Sequence, residues 1–222
     1  MCFAPSADVA VGTVVVIVGV DALRSVRRPA QLVLGVLPLL FGLHQLTEAF
    51  VWWGLQGDVP RSVGRLALWA YLLFAFGALP ALVPLAIGLV ERSRQRRWII
   101  GVCGVLGIIV AIVLTVPLFG GPIGAAIEGR HIAYRVEALG EGGQWTGVYV
   151  VATCGALLAS SYRHLVALGV FNLVVIPVLA WLTLDAFVSL WCFWAAVVSI
   201  VIATHLRRLA SPRAQRATQP VV

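Results

Sequence analysis

The chain contains no lysine, and all 16 of its basic Lys/Arg positions are arginine. A retinal-type Schiff base needs a lysine amine, so retinal is excluded as a cofactor. Charge of either sign is scarce. Only 11% of the 222 residues are charged, against about 25% in a soluble domain. There are four cysteines; none forms a C-x-x-C pair, which excludes a zinc-ribbon framework. The metalloprotease pattern H-E-x-x-H is absent. No basic region precedes the first apolar run, and Asp21, Arg24, Arg27 and Arg28 follow it in place of a cleavage site. That run is therefore expected to be retained rather than removed as a signal peptide. Cys2 has no apolar signal region ahead of it and does not read as a lipoprotein acceptor.

What the chain has is apolar length. It is 61% hydrophobic, with a mean hydropathy of +0.99. A bilayer span needs about 20 mostly apolar residues. Seven segments qualify: 8–23, 31–55, 66–90, 98–118, 145–162, 165–184 and 186–206. Arg24, Arg27 and Arg28 follow the first, Arg92, Arg94, Arg96 and Arg97 the third, Arg163 the fifth, and Arg207, Arg208, Arg213 and Arg216 the seventh. These alternate connections share one side, which the positive-inside rule makes cytoplasmic. The expected fold is an all-α membrane protein, a bundle of about seven transmembrane helices. Its N-terminus lies outside and its C-terminus inside, as a multi-pass protein of the cell membrane. One transmembrane domain, 1–206, precedes a disordered cytoplasmic tail, 207–222. The arginines sit between apolar runs rather than in a basic groove, so the expected partner is the lipid bilayer and not nucleic acid. Between spans 4 and 5, Ile123, Ala125 and Ile127 alternate with small or polar residues, as do Ile132, Tyr134 and Val136. With Glu128-Gly129 as a tight turn, this predicts a small extracytoplasmic hairpin. No internal repeat of the transporter kind is visible.

The second run carries His44, Gln45 and Glu48. An ionisable group within a span costs at least about 2.5–3.5 kcal/mol and marks a functional or paired position. His44, Glu48 and Trp52 are spaced by four and share a helix face. By depth, His44 lies just past the middle of the span and Glu48 in its outer half. Ser189, Trp191 and Cys192 lie near the outer start of the seventh span. Cys2 is outside, and His131 is on the hairpin. The candidate polar cluster is thus Cys2, His44, Gln45, Glu48, Ser189, Trp191 and Cys192. Its ligand types, His44, Glu48, Cys2, Cys192 and His131, suit a transition metal. A structural His44–Glu48 pair that locks helices together is the competing reading, and proton or solute handling the third. Cys2 and Cys192 share the outer side and could form a disulfide. Cys103 and Cys154 are expected to pack as small hydrophobes. Trp52, Trp53, Trp145 and Trp181 are placed in an outer aromatic belt and Trp98 in an inner one. Gly101-x-x-Gly104-x-x-Gly107 reads as close helix packing.

Met1-Cys2-Phe3, His44-Gln45-x-x-Glu48 followed by Trp52, Ser160-Ser161, and Ser189-x-Trp191-Cys192-Phe193 resemble an uncharacterised family of bacterial seven-helix membrane proteins along essentially the whole chain. Members commonly open Met-Cys-Phe-Ser; here Ala4 replaces the serine. The resemblance implies that these separated motifs belong together and supplies no activity. Ceramidase-like hydrolases resemble the chain in topology but hold zinc with several histidines. Whether the chain is an enzyme stays open. Three functions stand: an outward metal or redox site, a small-molecule or proton-coupled transporter, and a sensor or assembly subunit with a structural cluster. A small-molecule ligand or protein partner belongs to the latter two.

Overall fold

The computed structural model describes residues 4–129, 131–139, 143–182 and 187–210; side chains at 143–144, 176–182, 187–195 and 209–210 lie outside the description. The described residues form seven helical rods and one hairpin. The rods are α1 (Pro5–Arg24), α2 (Leu32–Gln56), α3 (Arg61–Leu72) running through a π-helical turn into α4 (Leu79–Val90), α5 (Arg94–Gly120), α6 (Gly143–Leu158), α7 (Arg163–Leu182) and α8 (Phe187–Ala210). Strands β1 (Ile123–Glu128) and β2 (His131–Val136) pair antiparallel, Ile123 opposite Val136 and Glu128 opposite His131. Glu128, expected in the turn, is therefore the last residue of the first strand. Four helical stretches are long and apolar enough to cross a membrane: Pro5–Arg24, Pro29–Gln56, Arg61–Val90 and Arg94–Gly120. The segment 211–222, most of the expected tail, lies outside the described residues.

The third rod begins at Arg61, ahead of the apolar run that starts at residue 66. Pro60 precedes its first turn in an extended conformation, and proline suits a helix start because it lacks an N–H. The π turn spans Leu73–Ala78, with the Leu79 N–H bonded to the Phe74 carbonyl. In that register the Ala75 carbonyl would belong to the N–H of residue 80, which is proline and has none. The Tyr149 hydroxyl of α6 donates to that carbonyl instead, at 3.1 Å. A proline in one helix is thus compensated by a tyrosine in another, as buried carbonyls require.

Two clusters of buried side chains hold the rods. One contains Leu34, Leu37, Ile87, Ile100, Leu165 and Leu206, and lies toward the arginine-rich end; the other gathers Val51, Trp52, Leu68, Tyr71, Leu118 and Ile132 under the hairpin. Of the glycine pattern on α5, only Gly107 is a tight contact: a Cβ there would lie 2.0 Å from the Pro80 carbonyl oxygen, whereas one at Gly101 meets nothing within 4 Å. Gly107→Ala is expected to lose about 1–3 kcal/mol by forcing α4 and α5 apart. Gly101→Ala should match or slightly exceed the parent protein, because alanine is the better helix former. Thermal melting of the two variants in detergent checks the contrast, and equal melting would remove Gly107 from the seam.

Glu91 closes the arginine-rich end. It is only 1% exposed although it sits in the short connection between α4 and α5. Its Oε1 accepts from the Arg92 and Ser93 N–H groups, each at 2.9 Å, and from the Ser161 hydroxyl at 2.6 Å. Oε2 accepts from the Ser161 N–H at 2.7 Å. Burial pushes this carboxyl upward, but the Ser161 hydroxyl and the Ser93, Ser161 and Arg92 N–H groups together hold it below its ordinary value. Arg96 donates to the Ser160 carbonyl at 2.8 Å and Arg97 to the Glu91 carbonyl at 2.6 Å. The Ser160-Ser161 motif is therefore half of a clasp joining the α4–α5 and α6–α7 connections.

Candidate functional site

At the hairpin end, α1 and α2 run in close contact. A Cβ at Gly42 would lie 2.6 Å from the Val16 nitrogen, so no side chain fits between the backbones there. This proximity brings Asp8, in the first turn of α1, to the side chains of α2. Asp8, Gln45 and Glu48 are 0%, 4% and 3% exposed. The Gln45 amide nitrogen donates to Asp8 Oδ1 at 2.7 Å and to Glu48 Oε2 at 3.2 Å. One amide group thus serves two carboxyl groups, using both of its hydrogens. The three-residue spacing of Gln45 and Glu48 places them on one helix face. From β2, the Tyr134 hydroxyl donates to Glu48 Oε1 at 3.3 Å. Burial first, then the neighbouring Tyr71 and Glu48, pushes the Tyr134 phenol far above its ordinary value, which keeps it protonated and a donor.

His44 does not bond to Glu48 among the described residues. Its ring stacks on Tyr71, with centroids 4.1 Å apart and planes 16° from parallel, and it also meets Phe74 at 4.7 Å. Tyr71 in turn stacks on Tyr134 at 4.6 Å. A column of His44, Tyr71 and Tyr134 therefore runs to the hydroxyl that meets Glu48. His44 Nδ1 is buried without a hydrogen-bond partner among the described residues. Trp52, expected in an outer aromatic belt, is instead buried at 3% exposure, while Trp98 is 75% exposed. Trp52 packs under Ile132 and the hairpin because this end carries a tertiary cover that an amphipathic pattern does not reveal.

Gln45 and Glu48 lie in this cluster, with His44 beside it. His131 faces Glu128 in the hairpin register. Cys2 lies outside the described residues, as do the side chains of Ser189, Trp191 and Cys192 on α8 and hence the proposed Cys2–Cys192 disulfide. No group of three or more His, Cys, Asp or Glu side chains able to hold a metal is present among the described residues. Cys103 and Cys154 are free and buried, as expected of small hydrophobes. Sequence reading missed Asp8, Tyr71, Tyr134 and Glu91. Asp8 had a signal, being an acidic residue at the edge of a long apolar run. The tyrosines had none, because their role depends on where the hairpin folds. At the other end His164 and His205 contact each other between α7 and α8, and His205 is 2% exposed. His164 is half-buried, so the pair reaches from the packed interior toward the arginine-rich end.

The fold and the site define a helical protein with four stretches apolar enough to cross a membrane and a buried carboxyl–amide–carboxyl cluster at one end. The chain belongs to a family of unknown function (DUF6629), whose model matches residues 1–217. No curated protein and no solved structure matches it.

Proposed function

We propose that the chain is a multi-pass membrane protein with seven spans, its N-terminus outside and its C-terminus in the cytoplasm, that works through reversible protonation of the Asp8–Gln45–Glu48 cluster facing the outside. The observation that carries this reading is the single Gln45 amide donating to two buried carboxyl groups. Two carboxyl groups joined through one amide have coupled ionisation, and a proton gained or lost by either is the switch this reading rests on. Protonation changes which of them accepts from Gln45 and Tyr134, and so changes the coupling of α1, α2 and the hairpin. The lipid bilayer is the partner this reading requires. Exposed Val102, Val105, Ile108, Ile112, Val116 and Phe119 along α5 support it. So does the gathering of arginines on alternate connections.

Infrared difference spectra against pH test the proposal. A protonated-carboxyl carbonyl band is expected in the parent protein and should be lost or shifted in Glu48→Gln and Asp8→Asn. A spectrum unchanged by both variants would sink it. Proton flux in proteoliposomes then separates a proton-coupled carrier from a sensor. The orientation predicts that a reporter fused after Arg216 is active only as a cytoplasmic reporter; periplasm-type activity there would break the seven-span reading. The buried, unpartnered Nδ1 of His44 favours a second reading, a metal held by His44, Glu48, Cys2, Cys192 and His131. Metal analysis of the purified protein, with His44→Ala as control, decides it.

A further inference from the structure

A groove of about 470 Å³ opens at the hairpin end, between the end of α2, the start of α3 and β1. Its floor is the crossing of Gly54 and Gly64. A Cβ on Gly54 would lie 2.6 Å from the Gly64 Cα, and one on Gly64 2.7 Å from the Gly54 Cα. No side chain can fill the groove from below. Arg61 and Arg65, one turn apart on α3, line it with Leu68, Trp69 and the backbone of 121–125. Both guanidinium groups are exposed, and neither makes a hydrogen bond or ion pair among the described residues. The acidic cluster uses neither of them, although Glu128 on the same hairpin pairs with Arg135.

Two unpaired guanidinium groups over a glycine floor, beside an indole, form a receptor for a phosphate-type oxyanion attached to an apolar or planar body. Guanidinium forks match phosphate oxygens two at a time. The glycine crossing brings the α2 and α3 backbones together at the base of the groove, and Trp69 and Leu68 supply an apolar wall. We infer that this groove is a binding site for a phosphate-bearing ligand, filled through Arg61 and Arg65. It is separate from the carboxyl cluster, and the inference does not depend on the protonation reading. The phosphate can belong to a soluble molecule or to a lipid headgroup.

The probe is inorganic phosphate, titrated against the detergent-purified full chain at an ionic strength held constant with chloride. Thermal melting and tryptophan fluorescence are the readouts. Saturable stabilisation is expected in the parent protein. The double variant Arg61→Gln/Arg65→Gln should weaken half-saturation about tenfold or more, the loss expected when charge-assisted bonds are removed. Gly124→Leu keeps both arginines but adds a side chain on the groove wall, where a Cβ meets nothing within 4 Å. It should fold and weaken phosphate about tenfold as well, which keeps the test decisive if the double variant does not fold. Glu48→Gln should bind phosphate as the parent does, so failure of the protonation reading and failure of this one are distinguishable. A parallel arm compares nanodiscs of phosphatidylcholine with and without phosphatidylglycerol. Stabilisation by phosphatidylglycerol that both groove variants lose, with no response to free phosphate, assigns the anion to a headgroup. A response to free phosphate in phosphatidylcholine discs assigns it to a soluble ligand. If neither phosphate nor phosphatidylglycerol separates the parent from the groove variants, the site is refuted.

Discussion

Glu91→Ala should lose about 3 kcal/mol or more, because it strips an acceptor from four donors at once. Three are backbone N–H groups and one is the Ser161 hydroxyl. Against a total stability of about 5–15 kcal/mol, that is enough to make the chain difficult to recover folded. Glu91→Gln keeps one oxygen but turns an NH2 toward some of these donors, so an intermediate loss is expected. Ser161→Ala removes one hydrogen bond and should cost about 1 kcal/mol. Melting in detergent ranks the three, and a Glu91→Ala variant that melts like the parent would show that the clasp is incidental. The acid limb gives an independent reading. Because the folded-state pKa of Glu91 lies below its ordinary value of 4.5, its contribution is fully present above that value. It is lost as pH falls through the lower, folded-state value. The parent protein should therefore lose stability on acidification below 4.5, and Glu91→Gln should lack that component.

Gln45→Leu is the second large effect. It removes the donor shared by two buried carboxyl groups. A loss of about 3–5 kcal/mol is expected, as when a buried charge loses its partner. Glu48→Gln keeps shape and an acceptor for Tyr134, so it should fold within about 1 kcal/mol of the parent. Glu48→Leu removes the carboxylate that accepts from Tyr134 and Gln45 and should lower stability by about 2–5 kcal/mol. A Gln45→Leu variant that melts with the parent would show that the carboxyl groups are satisfied without the amide. Failure of Glu48→Gln to fold would show that the charge at Glu48 holds the bundle, and would remove Glu48 from the protonation reading.

The helices were legible because their signal is local. A run of apolar residues bounded by arginine or proline states its own length, and the observed rods agree with it to within a few residues, the early start at Arg61 apart. The hairpin was legible for the same reason, since Ile123, Ala125 and Ile127 alternate against Ile132, Tyr134 and Val136. The π turn was not, because it depends on Tyr149 reaching across to the Ala75 carbonyl. Nor was Glu91, which in one dimension is an ordinary charge between Val90 and Arg92.

The site divides along the same line. An ionisable residue inside an apolar run is costly wherever the run ends up, so His44, Gln45 and Glu48 could be singled out from residue order alone. Which of them bond, and to what, was decided by contacts between distant parts of the chain. The close α1–α2 seam delivers Asp8 to Gln45, and the hairpin delivers Tyr134 to Glu48. His44 turns to Tyr71 rather than to Glu48, four residues along its own helix. Residue order determined the rods and most of their ends, because hydrophobicity and backbone hydrogen bonding act within a segment. Only the tertiary structure decided the partners, because a buried carboxyl group is satisfied by whichever donor the packing of other segments brings within reach.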